Sequence, residues 1–256
     1  MIGAIAGDII GSRFEGHPAP PAAFQLFHRH CRFTDDTVCT LAVAEAMMAG
    51  ADYAATLRAH VRRYPHAGYG GMFRDWALRD GAPAYGSWGN GAPMRVAAAG
   101  WLAESAEAAD AEAAAQARVS HDHPSAVVAA QAVAAAIFAL RSGATVAFVR
   151  DWIAGRFGYD LDPAQALRGG GFDISAAGTV PPALVCAFEA QSWEGAVRAA
   201  IGLGGDTDTL ACIAGAVAEA IHGVPDTVAA QARAHLTDDL AEILARFDAA
   251  TGAGRD

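Results

Sequence analysis

Small apolar residues recur three and four positions apart through 36–49, 93–104, 124–141, 181–190, 207–222 and 226–247. That spacing lines one face of an α-helix. The period-two alternation of a half-buried strand is nearly absent. Pro93, Pro124, Pro163, Pro181 and Pro225 each stand just before or within the first turn of a helical stretch, where a missing N–H breaks no hydrogen bond. The apolar share of the chain is 53%, enlarged by alanine, the best helix former, rather than by β-branched residues. The expected fold class is all-α.

Between the helical runs lie glycine-rich connectors, "HAGYGG" (66–71), "DGAPAYGSWGNGAP" (80–93) and "RGGGFDISAAGTVPP" (168–182). The Ala/Glu stretch 103–118 reads as a solvated helix, and 250–256 as a frayed tail. No charged or Ser/Pro-rich linker divides the chain, and no repeat of fixed period appears. One compact domain over 1–256 is expected, with roughly ten or more helices.

The formal charge is −10, with 18 Lys+Arg against 28 Asp+Glu, so an extended nucleic-acid surface, which needs clustered cations, is not expected. Cys31, Cys39, Cys186 and Cys212 form no CxxC pair and read as reduced thiols of a cytoplasmic protein. The opening "MIGAIAGDIIG" lacks a basic leader and is interrupted by Asp8. No window reaches about 18 uncharged apolar residues free of Gly and Pro, and no membrane span is expected. A monomer is the expected assembly.

Two stretches put acidic residues and threonines at the mouth of a small apolar run: "FTDDT" (33–37) and "GGDTDT" (204–209). Positions two apart on a helix point about 200° away from each other, so Asp206 and Asp208 converge only at an N-terminal turn. Gly204 and Gly205 let the chain bend there, and the bare N–H groups favour carboxylates. A simple N-cap accounts for either stretch alone, with Thr34 or Asp35 capping the first helix. One cap needs one side chain, however, and each helix start offers four. If the two stretches meet, Asp35, Asp36, Asp206 and Asp208 repel one another unless cations intervene. Two divalent ions would balance four carboxylates, and oxygen ligands without Cys or His select hard ions: Mg²⁺ first, with Mn²⁺ or Ca²⁺ as substitutes.

"GAIAGDIIGSRFEG" (3–16), "FTDDT", "YGSWGNGAPMR" (85–95), "SHDHP" (120–124), "GTVPPAL" (178–184) and "GGDTDT" stand in an order that resembles the ADP-ribosylglycohydrolase family over nearly the whole chain. The resemblance implies a compact, orthogonal multi-helix bundle with a binuclear Mg²⁺ site. It implies an enzyme that hydrolyses the glycosidic bond between ADP-ribose and an acceptor, with a protein arginine placed first. Carried onto matching positions, it makes Thr34, Asp35, Asp36, Asp206, Asp208 and Thr209 the metal ligands. Asp35 and Asp36 become the most sensitive catalytic positions, and Glu15 a gate or proton-transfer group.

The loop "YGSWGNGAPMR" has exposed backbone N–H groups and a proline that opens a helix, which suits phosphate oxygens; an ordinary glycine turn fits the same residues. The resemblance sets Gly86, Ser87, Gly89 and Asn90 against ADP-ribose, with His121 on a phosphate or ribose. Arg95 reads as a structural ion-pair residue and Asp8 as a buried hydrogen-bond anchor. Three alternatives remain open: a nucleic-acid end or small-molecule conjugate as substrate, a binding module without turnover, and a structural member like the lens crystallins of the family.

Overall fold

In the computed structural model, which describes residues 1–168 and 171–252, the chain folds into helices joined by turns. Fourteen are described: α1 (Ile2–Gly11), α2 (Asp35–Ala49), α3 (Tyr53–Arg63), α4 (Gly71–Leu78), α5 (Ala97–Leu102), α6 (Ala106–Arg118), α7 (Pro124–Arg141), α8 (Val146–Phe157), α9 (Pro163–Ala166), α10 (Ala176–Glu189), α11 (Trp193–Gly202), α12 (Thr207–His222), α13 (Asp226–Ala234) and α14 (Asp238–Thr251). The all-α expectation holds, with no strand among the described residues. The tail expected to fray begins inside α14, and residues 253–256 lie outside the described residues.

At the centre, α1 is buried along its whole length and lies against α12. Gly3, Gly7 and Gly11 recur every four residues and present one glycine ridge. A Cβ at Gly3 would fall 2.4 Å from the Gly215 carbonyl oxygen, one at Gly7 2.0 Å from that of Ala211, and one at Gly11 2.5 Å from that of Thr207. The two backbones therefore touch along three turns, a closeness that side chains on this ridge would forbid. Around this pair pack α7, α10 and α11, while α2, α3 and α14 close another side. The apolar core runs continuously from Met1 to Phe247.

Several boundaries differ from the sequence expectation. Pro93 does not open a helix: residues 91–95 form consecutive turns and α5 starts only at Ala97. Pro181 does not open one either. α10 begins at Ala176, where the Ser175 hydroxyl accepts from the Gly178 N–H and caps the helix, leaving Pro181 and Pro182 inside it. The two prolines deprive the carbonyls of Ala177 and Gly178 of their helical donors, and both residues are exposed, where water serves instead. The run 226–247 is two helices, because Thr237 followed by Asp238 and Asp239 is a helix start signal that interrupts it. The stretch expected to be a solvated helix, α6, buries Ala109, Ala113, Ala114, Gln116 and Ala117. α7 is long and apolar enough to cross a membrane by length and composition, and 61% of that window is buried within the fold.

Candidate active site

The sequence around α2 and α12 builds two helix N-termini whose first-turn side chains meet directly beside α1. Thr34 caps α2, its Oγ1 accepting from the Asp36 N–H at 3.3 Å. Asp206 occupies the cap position of α12 without a side-chain capping bond. Gly204 and Gly205, at φ +72° and +75°, make the left-handed bend that turns the chain into α12. Capping thus uses Thr34 and leaves Asp36 and Asp206 to other partners.

Asp8 of α1 holds the α2 mouth in place. Its carboxylate accepts from the Thr34 N–H at 2.9 Å, the Thr34 hydroxyl at 2.6 Å, the Thr37 N–H at 3.1 Å and the Thr37 hydroxyl at 2.5 Å. This is the buried anchor expected of Asp8, but the residue also contributes to the acidic cluster. One carboxylate oxygen each from Asp8, Asp36 and Asp208 lie within 4.8 Å of one another, and the same holds for Glu15, Asp206 and Asp208. The Thr209 hydroxyl donates to Asp36 Oδ2 at 3.3 Å. Asp36 Oδ1 is buried with no hydrogen-bond partner among the described residues. Asp35 stands outside both triads; its Oδ1 faces Gly68, 3.3 Å from where a Cβ of that residue would be.

These carboxylates other than Asp8 open on a cavity of about 540 Å³. Glu15, Asp35, Asp36, Asp206, Asp208 and Thr209 line it, Ser87, Gly89, Asn90 and Gly91 form a wall, and His121, Arg95 and Phe73 line it as well. Met72, Phe172 and Ile174, all largely exposed, stand at its rim. Two residues expected at the site do not line it. Thr34 lies behind Asp36 and Asp8, and Gly86, at φ +70°, uses its N–H to hold Asp122 Oδ1 at 2.7 Å.

The glycine loop is pinned to the segment before α10 by the Asn90 N–H donating to the Ile174 carbonyl at 2.8 Å and the Ala176 N–H to that of Trp88 at 3.0 Å. Asn90 points its amide at the acidic cluster: Nδ2 donates to Asp206 Oδ2 at 2.7 Å and to Thr179 Oγ1 at 3.1 Å. Sequence reasoning set Asn90 against the ligand and missed this bond, because Asp206 is far away along the chain. Arg95 is fully buried and forms no ion pair among the described residues. It donates instead to Gln116 and Ser120. The expected structural ion pair is absent because the turns at 91–95 direct Arg95 to α6 rather than to a carboxylate.

Desolvation governs the electrostatics. Burial, and then the Asp8 charge, push the Asp35 carboxyl up to about 8. Asp36 is raised well above its usual value by burial and then by Asp8 and Asp35, and Asp208 by burial and then by Asp36 and Asp206. Glu15, exposed at the mouth, is raised by desolvation and by Asp206. Buried carboxylates in this range either hold protons or share a cation. The all-oxygen donor set and the orphaned Asp36 Oδ1 fit a hard divalent ion.

Fold and cavity together define an all-α protein built around a buried acidic cluster with an all-oxygen, metal-compatible donor set. The chain belongs to the ADP-ribosylglycohydrolase family, whose model matches residues 1–255. That family is of glycosidase type, acts on ADP-ribosyl conjugates and is typically metal-dependent. The fold is similar to that of a solved structure described as an ADP-ribosylglycohydrolase-related protein complex, with a TM-score of 0.77 at 22% identity over 98% of this chain and 97% of that chain. No curated protein matches the chain in sequence.

Proposed function

We propose that this protein is a Mg²⁺-dependent hydrolase that releases ADP-ribose from an acceptor, with an arginine-linked conjugate as the first substrate to try. The observation that carries the reading is the convergence of Asp36, Asp206 and Asp208, with the unpartnered Asp36 Oδ1, on the cavity walled by Gly89 and Asn90. Asp35, Asp36, Asp206, Asp208 and Thr209, with Thr34 behind them, would hold two divalent ions. When bound, such ions polarise sugar oxygens and lower the pKa of a water.

The chain's own residues supply the rest. As the acceptor leaves, positive charge grows on the ribose ring, and ionised carboxylates in a low-dielectric cavity stabilise it. Glu15, with its raised pKa, stands at the mouth where it can hold or pass a proton. The open backbone of Ser87–Gly89 leaves room for a diphosphate, and His121 adds a polar group on the same wall.

The test is a panel of ADP-ribosylated arginine, serine, cysteine, nucleic-acid ends and small-molecule esters, incubated with Mg²⁺ and assayed for free ADP-ribose. Release from at least one, lost in Asp36→Asn, supports the proposal. Equal release by parent and variant removes Asp36 from the mechanism. Tight ADP-ribose binding without release from any conjugate would make the protein a binding module.

A further inference from the structure

His121 has one ring nitrogen bound inside the protein and one left for the cavity. Nδ1 pairs with Ser120 Oγ at 2.8 Å. Nε2 has no partner among the described residues and lies beside Gly91: a Cβ on Gly91 would fall 2.7 Å from it. Both His121 and Gly91 line the cavity. Gly91 therefore makes the space in which the ring stands, packed between Phe73 and Tyr85 with centroids 5.9 and 5.8 Å away.

The proton on this ring is decided by hydrogen-bond directions that start three residues along the network, at Gln116. Gln116 Nε2, which only donates, gives its protons to the Ala92 and Ala113 carbonyls at 3.0 and 3.1 Å. Its Oε1 is thereby turned to Arg95, whose Nε donates to it at 2.7 Å. A guanidinium has no acceptor, so Arg95 Nη2 donates to Ser120 Oγ at 3.1 Å. The Ser120 hydroxyl has one proton, no other acceptor among the described residues and no exposure to solvent. It satisfies that proton only by donating to His121 Nδ1. A proton on Nδ1 would leave the buried Ser120 O–H without a partner, which is unfavourable by about 1–3 kcal/mol.

The geometry points to Arg95 and Ser120 as positioning residues that fix His121 as the neutral Nε2–H tautomer, so that it donates a hydrogen bond to an acceptor oxygen of the ligand. This rests on the reading above that His121 faces ADP-ribose. Burial, and then the Arg95 charge, hold the ring's pKa well below the usual histidine value, in agreement with a neutral imidazole. It follows that His121 orients a phosphate or ribose oxygen and is not the acid that protonates the leaving group. Arg95 is the charged group facing the ring, and Tyr85 the other titratable one. Arg95 has no acceptor, and among the described residues the Tyr85 hydroxyl makes no hydrogen bond to His121 or Ser120, so neither reverses the chain.

The experiment is a long-range ¹H–¹⁵N correlation spectrum of the ¹⁵N-labelled full-length protein with Mg²⁺ at neutral pH, with His121→Gln used only to assign the signal. The expected pattern is that of the Nε2–H tautomer. Ser120→Ala should mix the tautomers and weaken ADP-ribose binding about tenfold by calorimetry, and Ser120→Thr, which restores the hydroxyl, should recover both. An imidazolium or Nδ1–H pattern in the parent overturns the inference, as does Ser120→Ala with the parent's spectrum and affinity. If Ser120→Ala does not fold, the parent spectrum decides alone. An Nε2–H parent that binds no ADP-ribose upholds the Arg95–Ser120–His121 chain and sinks the ligand reading instead.

Discussion

Gly7 of α1 rests on the backbone of Ala211 in α12, so closely that a Cβ at Gly7 would lie 2.0 Å from the Ala211 carbonyl oxygen. This contact sets the register of the two central helices. It brings Asp8, the next residue on α1, beside Asp208, nearly one turn earlier on α12, within the 4.8 Å triad that includes Asp36. Gly7→Ala is therefore expected to part the helices, lowering stability by about 1–3 kcal/mol or more and weakening Mg²⁺ uptake together with it. Thermal melts and calorimetry on the purified variant check this. A variant melting with the parent would show that the contact does not set the register.

Metal removal should be felt through pH. The Asp35 carboxyl lies at about 8 in the folded, metal-free protein against roughly 3.9 in an unfolded chain. Between those values the folded state binds more protons, so stability falls as pH rises through the window. In chelator the melting temperature should be lower at about pH 8 than at about pH 6. The gain on adding Mg²⁺ should be larger at the higher pH, where fewer protons compete, and reaches about 2.7 kcal/mol per site at a hundredfold excess over Kd. A Mg²⁺ shift that is the same at both pH values would contradict this.

Asp36→Asn separates charge from shape. Thr34 retains the cap of α2 because it is the Asp36 backbone N–H that donates to it, so the fold should persist. In chelator at about pH 8 the variant should melt at or above the parent temperature, since a repelled, desolvated carboxylate is gone. With Mg²⁺ it should gain less than the parent and lose nearly all turnover. A Mg²⁺ gain equal to that of the parent would exclude Asp36 as a ligand.

The glycine wall can be tested apart from the acidic floor. A Cβ at Gly89 would meet only Ser87 Oγ at 3.3 Å and softer contacts beyond, so Gly89→Val should fold. Its methyl groups should reduce the space beside His121 and weaken ADP-ribose binding about tenfold or more, with Mg²⁺ affinity nearly unchanged. Parallel titrations with Mg²⁺ and with ADP-ribose decide it. Parental ADP-ribose affinity would remove the loop from the ligand site.

What the sequence determined on its own is local. Helical spacing foretold the all-α class and the run of α12, the proline at 124 marked the first turn of α7, and the density of acidic and hydroxyl residues at 33–37 and 204–209 marked the two helix mouths, because each depends on neighbours within a turn or two. The ordered motifs carried the family. What the tertiary structure decided depends on residues brought together from far along the chain. The glycine ridge of α1 against α12 makes the two mouths one cluster and adds Asp8 to it. Ser175 caps α10 early enough to leave Pro181 inside the helix, and the turns at 91–95 send Arg95 to Gln116 and Ser120 instead of a carboxylate. Asn90 finds Asp206 across 116 positions. Periodicity reports which face of a helix is apolar. Which faces meet, and hence which carboxylates share a desolvated volume and which histidine nitrogen is left for a ligand, is settled only by backbone packing and by the directions of buried hydrogen bonds.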